Sequence, residues 1–324
     1  MSKFKYRKSM EPFKKWLIPT IYGDVPTFLG VPLAKSKDEL KGSNAVIIGI
    51  PYETTPTIGR EPRMAMLTPQ NLRKASIKYS GYLPELDIDV FEHVRLMDYG
   101  DVQTVCGNIH ESINRAEKII EEVLEVNAMP ILIGGTEPCT CYSAIKVLAK
   151  RGKVGIIAMD AHGDNLDEHL GDKWSGACWI ARVSELKNVD MKKHFQIGMR
   201  GPRNLKEQVE WFKSKGAHLY TIKEIRTKGI EEVAKEVASS IHEEAHKVFM
   251  SIDFDVLDIG CAQGLDEPLG LSVSELLTFV FEIGKSGLDC FAIGLIPTQS
   301  IQLYWIATWS ILYLLAGMIK GNRL

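Results

Sequence analysis

Short, almost unbroken apolar runs recur along this chain, with helix-period stretches between them. The runs at 45–50, 130–133, 154–159, 195–199 and 247–251 are four to six residues long. They are too short for buried helices and too apolar for strands with one wet face. Between them, 112–127 places apolar residues at 113, 116, 119, 120, 123 and 124, and 230–246 places them at Ile230, Val233, Ala234, Val237 and Ile241. Both patterns predict amphipathic helices, with Ser112 as the N-cap of the first. Further helices are expected around 71–76 and 141–151, a strand at 95–101, and a polar loop to about Gly176 followed by a helix. Such alternation predicts an α/β chain whose mainly parallel sheet is covered on both faces.

No linker, internal repeat or low-complexity tract divides the chain, so one domain is expected over 44–324. Residues 1–43 precede it as an arm in which Pro12, Pro19, Pro26 and Pro32 interrupt any long helix. The 39 basic and 41 acidic residues leave a net charge of -2 with no long basic block, which argues against a nucleic-acid partner. The basic start is followed by no apolar signal core, and the six scattered cysteines suit reduced, packed thiols; the expectation is a cytoplasmic protein. Residues 301–319 carry no charge and approach the length of a membrane span. Gln302, Thr308 and Ser310 favour instead a helix buried against the sheet or a partner chain, and no membrane association is expected.

The chemistry gathers at strand ends. Asp160-Ala161-His162-Gly163-Asp164 directly follows the 154–159 run, and its three metal-capable side chains alternate onto one face of an extended chain. Asp253 and Asp255 follow the 247–251 run in the same way. In parallel sheets such positions lie beyond the carboxyl ends of the strands, where ligands bind. Carboxylates with imidazole suit hard divalent cations, and five such side chains on two strand ends suggest a two-metal hydrolytic centre. His93, His110 and His169 read as surface histidines, and Asp172 and Asp258 as loop caps. Arg60 and Arg63 read as solvated loop arginines.

Gly134-Gly135, the Asp160 motif and Ser251-Ile252-Asp253-Phe254-Asp255 occur in the order seen in the ureohydrolase superfamily of arginases and agmatinases, whose motifs read GGDHS, DAHxD and SxDxDxxDP. The chain resembles the agmatinase branch most. Gly49-Ile50-Pro51, Asp98-Tyr99-Gly100-Asp101, Gln196 to Arg200 and Glu267-Pro268 extend the resemblance over most of its length. The resemblance implies a three-layer α/β/α domain assembled as a trimer or hexamer. It also implies up to two Mn²⁺ or Ni²⁺ ions that activate a water against the carbon of a small cationic guanidino substrate. By this comparison Glu137, Asp160, His162, Asp164, Asp253 and Asp255 are the metal ligands, and Asp164 is also the catalytic partner of the activated water.

The departures from the family pattern fall on the chemistry. Glu137 stands where a metal-binding histidine is expected, Ser175 where a substrate-side histidine is expected, and Gly294 where a glutamate faces the guanidinium. A buried guanidinium without its carboxylate keeps its desolvation cost and loses charge-assisted bonds. The expectation is therefore a non-catalytic or weakly catalytic subunit, a pseudoenzyme that stabilises an active ureohydrolase paralogue in a hetero-oligomer. This is similar in concept to the degenerate chain of two-subunit hydrolases of biguanides such as metformin. The alternative is an active amidinohydrolase with altered scope, Glu137 serving as a ligand and Glu53 or Glu267 replacing the missing carboxylate.

Overall fold

The computed structural model describes residues 26–54, 64–243, 247–294 and 300–324; Arg60, Arg63, residues 1–25 of the arm and residues 295–299 lie outside that set. In chain order the strands are β1 (Ala45–Ile50), β2 (Tyr82–Leu83), β3 (Ile88–Asp89), β4 (Leu96–Asp101), β5 (Met129–Gly134), β6 (Val154–Met159), β7 (Val189–Ile197), β8 (His218–Tyr220), β9 (Lys247–Ile252) and β10 (Cys290–Ile293). The helices are α1 (Thr68–Ser76), α2 (Val90–His93), α3 (Ile109–Glu125), α4 (Glu137–Ala149), α5 (Trp179–Ser184), α6 (Lys206–Ser214), α7 (Ile222–Lys228), α8 (Ile230–Ile241), α9 (Val273–Ser286) and α10 (Ile301–Lys320).

Eight strands form one sheet in the order β4-β1-β5-β10-β9-β6-β7-β8, and every neighbouring pair in it is parallel. β2 and β3 form a separate antiparallel pair. Strand alternation divides the apolar runs between two cores. In β1, Ala45 and Ile47 join Leu72, Phe279 and Leu315 on one face; Val46, Ile48 and Ile50 join Ile120, Leu148 and Trp179 on the other. Helices cover both faces, which is the three-layer α/β/α arrangement expected from the sequence.

Three local expectations change. Ser112 lies inside the first turn of α3; the N-cap is Asn108, whose Oδ1 accepts from the Glu111 amide at 3.0 Å. The Ser112 hydroxyl accepts from Val105 N at 2.8 Å instead and fastens the preceding loop. β7 begins at Val189 rather than 195, because Asp190, Lys192 and Lys193 hid its first half behind a polar pattern. α8 ends at Ile241, short of the expected 246.

The described part of the arm lies on its own domain. Phe28 and Leu29 are fully buried, and the Phe28 amide donates to Asp98 Oδ2 at 2.8 Å. α10 is a core helix, burying Leu303, Ala307, Leu314 and Ala316 completely. It meets α9 backbone to backbone: a Cβ on Gly317 would stand 2.2 Å from the Phe281 carbonyl oxygen, and one on Gly284 would stand 2.5 Å from that of Leu314.

Candidate metal centre

Four adjacent strands, β5, β10, β9 and β6, deliver the chemistry to one place. Glu137 opens α4 three residues after β5, Gly294 is the first residue past β10, Asp253 and Asp255 follow β9, and Asp160, His162 and Asp164 follow β6. The backbone ladder runs just beyond the strands and holds these residues side by side. Asp253 N donates to Met159 O at 2.9 Å, Gly294 N to Ile252 O at 2.9 Å and Asp160 N to Ile197 O at 3.0 Å.

Among the described residues, ligand-type atoms of Asp160, His162 and Asp255 lie within 4.8 Å of one another. His162 Nδ1 is 2.9 Å from Asp255 Oδ2 and 3.5 Å from Asp160 Oδ1. Both carboxylates are anchored by amides: His162 N donates to Asp160 Oδ1 at 2.6 Å, and Ala161 N to Asp255 Oδ1 at 3.0 Å. Asp253 stands outside this tight group and caps the short turn Phe254–Val256, its Oδ1 accepting from Asp255 N at 2.9 Å. Asp164 also stands outside it. The alternation expected to carry Asp164 onto the same face stops because the chain turns there, with Asp164 at φ 45° and its carbonyl accepting from Ile180 N at 3.0 Å. Asp tolerates that left-handed geometry better than most residues.

Glu137 is 5 % exposed and leans over two glycines. A Cβ on Gly294 would lie 2.5 Å from its Oε1, and one on Gly176 would lie 3.7 Å from its Oε2. The position expected to carry a substrate-facing glutamate is thus bare, and the carboxylate beside it comes from α4. The neighbouring Ser175 is fully buried, and its Oγ has no hydrogen-bond partner.

The charges are crowded. Burial pushes the Asp160 carboxyl well above its usual range, and the negative charges of Asp255 and Asp253 push it further. Burial, then Asp160, does the same to Asp164. Burial works against a charged His162 as well, but Asp255 prevails and the imidazole is pushed up to about 9. Against its own burial, Asp255 is held well below the usual carboxylate range by His162 and the Ala161 amide. Converging anions that oppose one another's ionisation are relieved by a cation between them, so this oxygen and nitrogen donor set fits a hard divalent ion.

A supporting layer surrounds the group. Gln196 Nε2 donates to the His162 carbonyl at 2.6 Å, and Gln196 Oε1 lies 3.0 Å from Nε2 of His194. Burial lowers the His194 pKa to about 4; with the Gln196 amide nitrogen turned to His162, the Gln196 oxygen accepts from His194 Nε2. Arg200 joins the ends of the loops: its Nη2 donates to the carbonyls of Asp255, Leu257 and Glu267 at 2.8 to 2.9 Å, and its Nε to that of Pro268 at 2.8 Å. Glu267 is turned toward His162, with Oε1 3.2 Å from Nε2. Sequence reasoning offered Glu267 as a replacement for the missing substrate carboxylate and placed Gln196 in a family-like segment, but it set neither beside His162 and gave Arg203 no role, since loop crossings leave no periodic signal. Asp258 and Asp172 are loop caps, accepting from Gly260 N and Trp174 N, and His93 and His110 are exposed.

Residues 43–293 match the arginase family model. The chain is 29 % identical over 277 residues to agmatinase of Bacillus anthracis, covering 85 % of this chain and 90 % of that protein. It is 25 % identical over 280 residues to guanidinobutyrase of Pseudomonas aeruginosa, covering 86 % of each. The structure of Trypanosoma cruzi formiminoglutamase with Mn²⁺ superposes with a TM-score of 0.80 at 21 % identity, covering 93 % of this chain and all of that one. With the sheet order, the strand-end carboxylates and a family match over most of its length, this chain belongs to the arginase family of ureohydrolases.

Proposed function

We propose that this chain is a metal-binding subunit of a hydrolase of guanidine-type C–N bonds, with little activity of its own, that stabilises an active ureohydrolase paralogue. The observation that carries this reading is the contrast between the two ends of the site. Asp160, His162 and Asp255 converge closely enough to hold a cation, whereas Gly294 offers no side chain and the space beside it is taken by Glu137. Mn²⁺ or Ni²⁺ held by these three residues, with Asp164, Asp253 and Glu137 as candidate further ligands, would supply Lewis acidity and lower the pKa of a water at the site.

Ser175 has no imidazole with which to hold or move a proton at the leaving nitrogen. Without a carboxylate from position 294, a guanidinium at that place meets Glu137, already packed against the Gly294 backbone. Loss of one partner from a buried charged pair costs about 2–5 kcal/mol, which corresponds to a rate deficit of about 30- to 5,000-fold. Agmatine, 4-guanidinobutyrate and biguanides such as metformin are the substrates to test.

A specific observation favours a second reading, an active hydrolase of altered scope. Glu137 keeps a buried carboxylate in the pocket and two glycines clear space around it. One assay separates the readings: release of urea or amine by the chain alone and co-expressed with a ureohydrolase paralogue, each loaded with Mn²⁺ or Ni²⁺. The subunit reading expects turnover only in the co-purified complex. Turnover by the isolated chain near about 10 s⁻¹, a common enzyme value, overturns it in favour of the second.

A further inference from the structure

His162 has a carboxylate on each side of its ring, and only one of the two sides faces the cation group. Nδ1 looks toward Asp255 and Asp160; Nε2 looks away, toward Glu267 Oε1 at 3.2 Å. Glu267 is 4 % exposed, and its surroundings fix it from three directions. Arg203 Nη1 donates to the same Oε1 at 3.1 Å and also reaches Asp266 Oδ2 at 3.3 Å. Gly201, with φ 80°, leaves room for the other oxygen; a Cβ there would stand 3.1 Å from Glu267 Oε2. The Glu267 backbone is held by its carbonyl, which accepts from Arg200 Nη2 and from Ile259 N.

We infer that Glu267 is a positioning residue for the metal centre: it accepts the Nε2 proton of His162, fixes the ring's orientation and leaves Nδ1 as the atom offered to the cation. A histidine that ligates a metal through one ring nitrogen is oriented by what the other nitrogen bonds, and a carboxylate there also raises its basicity as a ligand. Glu267 serves this purpose without touching the substrate side, so the structure gives it a different task from replacing the carboxylate absent at Gly294. Arg203 holds the Glu267 carboxylate turned toward the ring. The inference rests on the metal-centre reading above, and its test separates the two.

Mn²⁺ affinity of the full chain is measured by competition with a chelator for wild type, Glu267→Ala, Glu267→Gln, Arg203→Met and Asp255→Asn, alongside the thermal midpoint of each metal-free protein. Glu267→Ala is expected to weaken Mn²⁺ binding by about 10- to 100-fold. Glu267→Gln, which still accepts the Nε2 proton but lacks the charge, should fall between it and wild type, and Arg203→Met should lose a few-fold. Asp255→Asn removes a ligand atom and must weaken binding whatever Glu267 does. If Glu267→Ala does not fold, the near-isosteric glutamine variant carries the comparison. A Glu267 variant that lowers the thermal midpoint but leaves Mn²⁺ affinity unchanged, while Asp255→Asn loses it, overturns the role of Glu267 alone. No Mn²⁺ uptake by wild type, or unchanged uptake by Asp255→Asn, overturns the metal centre and this inference together.

Discussion

His162 is where the site's electrostatics can be read through a single side chain. Its pKa is raised from 6.5 to about 9 because Asp255 outweighs the burial penalty. Between those values the folded chain holds a proton that the unfolded chain has released. The stabilisation is therefore complete below pH 6.5 and lost as the pH rises through 9. In a chelator-stripped sample the urea midpoint should fall across that window, and His162→Asn should flatten the slope. An unchanged slope in the variant would assign the proton elsewhere. Asp255 has the opposite sign: its depressed pKa contributes stability above its unfolded value of 3.8, lost as the pH drops through the folded one. At this scale the sequence was informative about Asp160, His162 and Asp255, because carboxylates directly after buried strands have few structural uses. It offered Glu267 only as a substitute for the missing substrate carboxylate and was silent on Arg203; Glu267 meets His162 from 105 residues further along the chain, Arg203 meets Glu267, and both come from loops of no regular period.

The two C-terminal helices show how an apolar segment can be misleading when viewed alone. Residues 301–319 have the length and hydropathy of a membrane span, yet α10 lies in the core against α9 and α1. The sequence supplied the uncharged run and its few polar residues, which favoured burial over lipid. It did not reveal α9 or β10, so the partner surface was invisible. The contact depends on Gly284 and Gly317, whose missing side chains let the two backbones touch. Gly317→Ala would drive a methyl toward the Phe281 carbonyl, and overpacking of this kind costs about 1–3 kcal/mol. The expected result is a lower urea midpoint for Gly317→Ala than for an alanine at the exposed Gln302 on the same helix. Equal midpoints would mean that the helices separate freely. Strand and helix existence was otherwise well legible from periodicity; ends were less so, as the moves from Ser112 to Asn108 and from 195 to Val189 show.

For the whole molecule, the order of the sheet places the site. Runs of apolar residues reveal that strands exist and are parallel, but adjacency comes from packing, and only adjacency brings Glu137, Gly294, Asp253 and Asp160 to four neighbouring strand ends. The same order sets up a dependence along the chain. β4, β1 and β5 form one ribbon and β9, β6, β7 and β8 another, and β10 joins them by pairing with β5 on one side and β9 on the other. A chain ending at residue 286 would keep seven of the eight strands but leave the edges of β5 and β9 unpaired, each a template for wrong association. It should bind hydrophobic dyes and be cut rapidly by protease where the full chain resists; protection equal to that of the full chain would show that the ribbons can close without β10. On the ribosome, the second ribbon is complete only when β9 ends at Ile252, and β10 follows at Cys290–Ile293 to tie the two together. Between the completion of β9 and the arrival of this four-residue strand, the nascent protein holds two unjoined half-sheets whose open edges are exposed to wrong association.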